Sequence, residues 1–220
     1  RNPKKILLKF FDLFLKKGGQ FKRTEVKSID FQDEQPILKT ENENLSILIM
    51  GGSQSAKVFG EVLPNIIIKC FKNGIKFKVY QQCLSNQNFI LEKKYKSLGI
   101  EFELFNFSKD LLKYFSEVHF VITRSGSSIT AELVNCRIPF IAIPFPFTAE
   151  NHQFKNAQYF EKKGFGFLLE EKDIDTKLFP LIKMIYKDMN LLSIMSDKQK
   201  QHTDKDVYKK INDKILEIIK

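Results

Sequence analysis

The chain has 220 residues, of which 43% are hydrophobic and 28% are charged, a composition typical of a globular protein that buries a sizeable core. The net charge of +10 favours anionic partners. Because the lysines are spread along the chain without an arginine-rich block, no nucleic-acid partner is expected. No apolar run approaches the ~18 residues of a membrane span, and three scattered cysteines fit neither a disulfide framework nor a metal-binding pair.

Residues 1–44 are predicted to form an N-terminal helix followed by an interdomain linker. Ile6, Phe10 and Leu13 recur at the spacing of one helix face, and charged residues interrupt the apolar run. That interruption, and the lack of a small-residue cleavage site, argue against a signal peptide. Residues 24–44 are polar, charged and contain a proline, which is typical of a linker.

From residue 45 onward, short apolar runs alternate with helical patterns. The predicted strands are 45–50, 75–80, 101–105, 118–123, 139–144 and 164–169. The predicted helices between them are 55–71, 87–97, 109–116, 127–136 and 150–163. Strands that are apolar throughout, joined by crossovers of a dozen or more residues, indicate a parallel sheet covered by helices on both faces. The expected fold class is α/β, a Rossmann-like doubly wound parallel sheet over residues 45–178.

The remaining residues, 179–220, are predicted to form C-terminal helices that pack on this sheet. One amphipathic helix is predicted over 178–189, and a second over 207–220, where isoleucines recur on one face.

Ligands of doubly wound sheets bind at the carboxyl ends of the strands, and three segments there carry suitable residues. The first is the GGSQ segment (51–57), in which a glycine turn exposes backbone N–H groups and Ser53 and Gln54 add donors. The patterns GxxxxGK[ST] and GxGxxG are absent, so neither kinase-type chemistry nor ordinary NAD binding is indicated. Taken alone, this segment is more typical of a steric glycine turn than of a phosphate cradle.

The second is the RSGSS segment (123–132), again a strand end, a small-residue turn and a helix. Gly126 lets the backbone approach a ligand, and Ser127 and Ser128 supply hydroxyl groups and an N-cap. Glu132 allows two interpretations. It either interacts with the positive end of the helix or accepts hydrogen bonds from the vicinal hydroxyls of a sugar.

The third is the PFPF segment (144–157), in which two prolines fix an extended exit from the strand. A helix is predicted to open near residue 148 or 149, with polar side chains clustered on its first turns. Gln153 and Asn156 are spaced i, i+3 on one face, which suits hydrogen bonds to a polyhydroxyl ligand.

Together and in this order, the motifs GGSQ, RSGSSITAEL and PFPFTAENHQFKNA resemble the MurG family over residues 19–220. MurG enzymes transfer N-acetylglucosamine (GlcNAc) from UDP-GlcNAc to the undecaprenyl-pyrophosphoryl-MurNAc-pentapeptide lipid (lipid I), forming lipid II in peptidoglycan synthesis. The resemblance covers the C-terminal, donor-binding half of that two-domain GT-B fold.

The resemblance implies a role in UDP-GlcNAc binding for residues at matching positions. Ser53 and Gln54 match the diphosphate loop, Ser108 the uracil-facing backbone position, and Glu132 the glutamate that binds the ribose hydroxyls. Along the phosphates and the donor sugar, the matching residues are Arg124, Ser125, Gly126, Ser127, Ser128 and Ile129.

On the sugar side, His152 and Gln153 match a pair that contacts the GlcNAc hydroxyls, and Asn156 matches the asparagine of an NA pair. GGQFKRTEV resembles a linker segment, which places Arg23 at a phosphate-side arginine. The sequence departs from the family at Ser55, where a glycine is usual, and at Ile129, where a threonine is common. In addition, Gln20-Phe21-Lys22 replaces Asn-Pro-Val.

Nothing in the chain resembles the family's N-terminal domain, so the resemblance implies that the acceptor site and the catalytic base lie outside these residues. The expected enzyme is an inverting, metal-independent hexosyltransferase without a cofactor, peripheral on an anionic inner-membrane surface at the cytoplasmic face. The alternatives are another UDP-GlcNAc-dependent GT-B enzyme or subunit, such as an epimerase or a lipid-linked-sugar transferase, or an inactive remnant.

Overall fold

A computed structural model describes residues 44–51, 58–108 and 111–202 of the chain. The predicted N-terminal helix, the linker and the helix over 207–220 lie outside the described residues. So do three residues of the candidate site, namely Arg23, Ser53 and Gln54, and the departures from the family at Ser55 and at residues 20–22.

Six strands form one parallel sheet, in the order β3-β2-β1-β4-β5-β6. Their bounds are β1 Leu45–Met50, β2 Phe77–Gln82, β3 Glu101–Phe105, β4 Phe120–Thr123, β5 Phe140–Ala142 and β6 Gly166–Leu168. Strand β1 lies between β2 and β4, with Ile47 opposite Val79 on one side and Phe120 on the other. This is the strand order of a Rossmann-like doubly wound sheet, so the predicted fold class is confirmed.

Helices connect successive strands. Their bounds are α1 Leu63–Lys72, α2 Ser85–Lys96, α3 Leu112–Phe115, α4 Ser127–Asn135, α5 His152–Lys163, α6 Phe179–Lys187 and α7 Asn190–Gln201. A π-helical turn, Val58–Val62, precedes α1, and a short 3₁₀ turn, Ala149–Asn151, precedes α5.

The sheet is buried on both faces because alternate residues of each strand point to opposite sides. On one face, Ile47 and Ile49 of β1 join a core with α1, α2 and α6. On the other face, Leu48 and Met50 join a core with α3, α4 and α5. Because helices cover both faces, strands β4 and β5 are fully buried, whereas the edge strand β3 carries glutamates and is partly exposed.

Helix α7 was not predicted, and polar contacts to backbone explain its position. Ser196 Oγ donates to the carbonyl oxygen of Arg137 at 2.9 Å. Gln199 is 1% exposed, and its amide nitrogen donates to the carbonyl oxygens of Ile138 and Phe165. These partners are distant in sequence, so the helix depends on tertiary contacts that apolar periodicity does not reveal.

Two residues at or beside strands are explained by contacts within the sheet. His119 Nδ1 accepts a hydrogen bond from the backbone N–H of Ser46 at 2.9 Å, so this histidine joins β4 to β1 at the amino edge of the sheet. Gly166 lies so close to β5 that a β-carbon there would overlap the carbonyl oxygen of Phe140.

The strand order places a topological switch point between β1 and β4, where connections leave for opposite faces of the sheet. The GGSQ segment follows β1, the RSGSS segment begins at the end of β4, and the PFPF segment follows β5. All three therefore begin at one edge of the sheet. Among residues 44–51, 58–108 and 111–202, no helix has the length and apolar character required to cross a bilayer.

Candidate functional site

Helix α4 begins at the carboxyl end of β4 and directs its amino terminus to the switch point. Gly126 is its N-cap residue, with φ −63° and ψ 144°, and no side chain caps the helix. The prediction that Ser127 or Ser128 forms the N-cap is wrong, because both residues are already helical and exposed. The first backbone N–H groups of a helix have no intrahelical partner, so this end presents donors and a partial positive charge to an anion.

The turn before α4 is fastened to α5 by hydrogen bonds. Ser125 is fully buried, and its Oγ donates to the carbonyl oxygen of Gln153 at 2.9 Å. Asn156 Nδ2 donates to the carbonyl oxygen of Ser125 at 2.8 Å and to Thr130 Oγ1 at 3.0 Å. Two predicted ligand residues, Ser125 and Asn156, thus join α5 to the start of α4.

The PFPF segment returns to the same network. Gln153 Oε1 accepts a hydrogen bond from the backbone N–H of Phe145 at 2.9 Å, which holds the exit of β5 against α5. Before the helix, Glu150 and Asn151 both adopt left-handed backbone angles, with φ of 52° and 53°. Such angles are uncommon for residues other than glycine, although asparagine tolerates them better than most, and strained residues cluster at functional sites. These angles leave His152 exposed at the start of α5.

Arg124 lies behind the turn rather than on its surface, with 6% of the residue exposed. Its Nη1 donates to the carbonyl oxygens of Ile143 at 3.3 Å and Pro144 at 3.2 Å. The same nitrogen lies 2.6 Å from Glu171 Oε2. Burial lowers the pKa of Arg124, and the Glu171 carboxylate acts in the opposite direction. The guanidinium remains protonated at neutral pH.

The other predicted residues are spread along the edge. Glu132 is exposed on α4, five positions after its first residue. Ile129 is half-buried and packs against the core beneath α4. Ser108 is half-buried after β3, three strands from β4, which is about 14 Å along the sheet at the usual strand spacing.

Two residues that sequence reasoning did not assign also lie here. Glu171 pairs with Arg124 although 47 positions separate them, and the only signal in the sequence is its place just after the last strand. Thr148 Oγ1 is buried, without a hydrogen-bond partner among the described residues. Both follow strand ends, where ligands of this fold bind.

A cavity of about 580 Å³, lined by apolar and charged side chains, adjoins the site. Its lining includes Val58, Val62, Pro146, Phe147, Phe154 and Ile174. Within the described part of the chain, no three His, Cys, Asp or Glu side chains come together in a way that would hold a metal ion.

The family model of the glycosyltransferase family 28 C-terminal domain matches residues 46–211 of this chain. One relative is the UDP-N-acetylglucosamine--N-acetylmuramyl-(pentapeptide) pyrophosphoryl-undecaprenol N-acetylglucosamine transferase of Pelagibacter ubique. It is 36% identical over 214 residues, which are 96% of this chain and 56% of the relative. The enzyme of the same name from Leptospira interrogans is 29% identical over 81% of this chain and 49% of its own. The chain thus spans about half the length of these relatives.

Among solved structures, the MurG crystal structure from Acinetobacter baumannii has the same fold. The TM-score is 0.68 at 22% identity, covering 82% of this chain and 52% of that one. UDP-GlcNAc 2-epimerase from Neisseria meningitidis, bound to UDP-GlcNAc, matches with a TM-score of 0.52 at 13% identity, over 82% of this chain and 46% of that one. With a family match that covers most of the described residues, the chain belongs to the family of glycosyltransferase family 28 C-terminal domains.

Proposed function

We propose that this chain binds UDP-GlcNAc at the carboxyl edge of its sheet, as the donor-binding half of a glycosyltransferase of peptidoglycan synthesis. The acceptor is lipid I and the product lipid II, as the names of the relatives from Pelagibacter ubique and Leptospira interrogans imply. The observation that carries the proposal is the start of α4, an uncapped helix end at the switch point in a chain of this family.

The diphosphate is proposed to lie at the amino terminus of α4. Backbone N–H groups there have no intrahelical partner, and the helix dipole favours negative charge. Gly126 adds space, since among the described residues a β-carbon at this position would meet nothing closer than Ile129 Cγ2 at 3.9 Å. The GGSQ segment, which follows the neighbouring strand β1, is proposed to close the other side of the diphosphate.

Glu132 is proposed to accept hydrogen bonds from the ribose hydroxyls, and the segment that contains Ser108 to face the uracil. Glu132 is exposed on α4, where a carboxylate is accessible to a nucleotide whose phosphates lie at the helix start. An acidic residue performs the same role for ribose in dinucleotide sites of doubly wound sheets.

On the sugar side, His152 and Gln153 at the start of α5 are proposed to contact the GlcNAc hydroxyls. The left-handed angles of Glu150 and Asn151 turn the chain into this helix and leave His152 exposed. Ser125 and Asn156 support the site from behind, because their side chains bond to the protein rather than to solvent.

The proposed reaction is inverting transfer. The 4-hydroxyl oxygen of the acceptor forms a bond to the anomeric carbon of GlcNAc, while the bond to the diphosphate oxygen breaks and UDP leaves with the electron pair. The negative charge that develops on the diphosphate is stabilised by the N–H groups of α4, an electrostatic effect that is strongest where water is excluded. No residue of this chain is assigned as the base that removes the hydroxyl proton.

Association with an anionic membrane surface on the cytoplasmic face is part of the proposal. The net charge of +10 and the lipid acceptor of the relatives support it. Sedimentation with vesicles that contain anionic lipid is expected at low salt and is expected to fall as salt screens the charges. Equal sedimentation with neutral vesicles would argue against an electrostatic contribution.

Titration calorimetry with UDP-GlcNAc and UDP tests the donor site. We expect Glu132→Ala to weaken binding by about 1–3 kcal/mol, because the ribose hydroxyls lose a charged acceptor. The matched control is Glu117→Ala, an exposed glutamate just before β4, at the opposite edge of the sheet. Absence of UDP binding by the unmodified protein would contradict the proposed function.

A further inference from the structure

We propose that Arg124 and Glu171 are positioning residues: a buried ion pair that fixes the exits of β5 and β6 and the turn before α1 around the donor site. Nothing in the family resemblance assigns a role to Glu171, and Arg124 was expected to be a ligand residue. The inference deepens the proposed function. The expected effect of the ion pair on UDP-GlcNAc binding rests on that function, whereas its expected effect on the exits of β5 and β6 does not.

The contacts of the Arg124 guanidinium join separate parts of the chain. Nη1 bonds to the carbonyl oxygens of Ile143 and Pro144, at the exit of β5. Glu171 Oε2, beyond the end of β6, lies 2.6 Å from the same nitrogen. A single side chain on the turn after β4 therefore reaches the exits of the next two strands.

The guanidinium also lies over two aromatic rings. Its central carbon lies 5.0 Å from the centre of the Phe59 ring and 5.2 Å from that of the Phe145 ring. Phe59 belongs to the π-helical turn that follows the GGSQ segment, and it is 1% exposed. Contacts of a cation with aromatic faces within about 6 Å are attractive. They tie the element after the GGSQ segment to the exit of β5.

Burial makes the pair interdependent. The Arg124 side chain is 8% exposed and that of Glu171 is 24% exposed, so water screens their attraction weakly. Removal of the carboxylate would leave a buried cation without its counter-charge, which is more costly than loss of the pair as a unit. Glu171 therefore keeps Arg124 in the position in which it holds the two carbonyl groups.

The exit of β5 leads directly to the proposed sugar-binding residues. Phe145, which contacts the guanidinium, donates its backbone N–H to Gln153 Oε1 at 2.9 Å. A shift of Arg124 would release Phe145 and, through it, the start of α5. The ion pair is thus expected to affect the sugar side of the site more than the nucleotide side.

The variants are Glu171→Gln, Arg124→Met and the double variant Arg124→Met/Glu171→Gln. The chain offers a matched control in the next ion pair along the sequence, between Glu170 and Lys172 at 3.1 Å, whose side chains are 42% and 71% exposed. The control set is Glu170→Gln, Lys172→Met and their combination. Exposed pairs contribute little, so this set is expected to behave like the unmodified protein.

The first measurement is amide hydrogen exchange. Glu171→Gln is expected to accelerate exchange about tenfold or more at the Phe145 amide, because opening of this segment no longer requires breaking the ion pair. Exchange in β1 is expected to stay unchanged. The double variant is expected to show less acceleration than the product of the two single effects, the signature of two residues that act together.

The second measurement is the affinity for UDP-GlcNAc and for UDP. Glu171→Gln is expected to weaken UDP-GlcNAc binding about tenfold and UDP binding less than about threefold, a split that general destabilisation does not produce. If the unmodified protein binds neither ligand, the proposed function fails, and hydrogen exchange alone decides the role of the pair. The inference is overturned if Glu171→Gln leaves exchange at the Phe145 amide unchanged. It is also overturned if Glu171→Gln accelerates exchange in β1 as much, or if Glu170→Gln accelerates exchange at the Phe145 amide as much.

Discussion

Gly126 has backbone angles that any residue adopts, φ −63° and ψ 144°, and among the described residues there is open space where a side chain would be. The part of the chain that the structure describes therefore does not require a glycine at the start of α4. The space above its α-carbon lies at the switch point of the sheet, where a ligand of this fold binds. Under the proposed function, the approach of a ligand, rather than the turn itself, accounts for the absence of a side chain.

Gly126→Ala separates these two explanations. The free energy of unfolding is expected to change by less than about 1 kcal/mol, since reduced freedom of the unfolded chain opposes the loss of a favoured N-cap residue. UDP-GlcNAc affinity is expected to fall about tenfold, because the methyl group occupies space assigned to the diphosphate. Denaturant unfolding and calorimetry measure the two effects. Unchanged affinity would show that the ligand does not approach this residue.

Cys70 on α1 is fully buried, and burial raises the pKa of its thiol from 9.0 to about 12. Below pH 9 the folded and unfolded chains both keep the proton. Above pH 9 the unfolded chain loses it while the folded chain retains it, so the free energy of unfolding falls as the pH rises towards 12.

The expected contribution of Cys70 to this fall is at most about 1.4 kcal/mol per pH unit. Cys70→Ala removes the thiol, so its unfolding free energy is expected to depend less steeply on pH above 9, although the variant is less stable at pH 7 because of the smaller side chain. Urea unfolding from pH 7 to pH 10.5 measures both slopes. If the unfolding free energies of the two proteins fell equally steeply above pH 9, the raised pKa of Cys70 would be contradicted.

At the scale of elements, β5 and β6 approach so closely that one residue decides their pairing. A β-carbon at Gly166 would overlap the Phe140 carbonyl oxygen and lie 3.0 Å from a carbon of the Phe140 ring. Gly166→Ala must therefore shift a backbone group of a buried strand. The register pairs Gly166 with Phe140 directly, so no neighbouring position relieves the overlap.

We expect Gly166→Ala to lower the free energy of unfolding by about 1–3 kcal/mol, the usual cost of overpacking. Gly126→Ala is the matched comparison, because it makes the same chemical change in open space. Thermal or denaturant unfolding of the two variants distinguishes them. Equal stability of the two proteins would mean that β6 shifts freely against β5.

The sequence pattern predicted the elements whose causes are local. Strands β1 and β3 have the predicted bounds, 45–50 and 101–105, because their apolar runs end at turn residues. The helix predicted over 109–116 is described only as α3, Leu112–Phe115. Helix α7 was missed, since Ser196 and Gln199 hold it through distant carbonyl groups.

The same distinction applies to the site. The helix after β4 and the polar start of α5 were predicted, because each depends on consecutive residues of the sequence. The Arg124–Glu171 pair was not, because it joins residues 47 positions apart, and neither strand order nor depth of burial can be inferred from one sequence. Burial also distinguishes Arg124 and Asn156, which contact protein groups, from Glu132, which is exposed.

At the scale of the whole molecule, the chain corresponds to about half the length of the relatives from Pelagibacter ubique and Leptospira interrogans. Donor binding requires only the edge of one sheet, whereas transfer also requires an acceptor and a base. Under the proposed function, binding of the donor and transfer of GlcNAc can therefore be measured separately.

We expect the 220-residue chain to bind UDP-GlcNAc yet to transfer no GlcNAc to lipid I unless the N-terminal half of a relative is added. Radiolabelled transfer with and without that half measures this, and Glu132→Ala in the combined sample is the control. Interconversion of UDP-GlcNAc without any lipid would instead indicate an epimerase. Binding of nucleic acid that is tighter than UDP binding and falls steeply with salt would favour a basic binding module.

The sheet order also has a consequence for synthesis on the ribosome. Among the described strands, the central strand β1 is made first, but its second neighbour, β4, ends only at Thr123, and the Ser46–His119 hydrogen bond spans 73 positions. Until then β1 has an unpaired edge, the kind of intermediate that folds slowly and aggregates readily. Glu171 emerges later still. A nascent chain halted just before residue 171 would contain all six described strands but no counter-charge for Arg124.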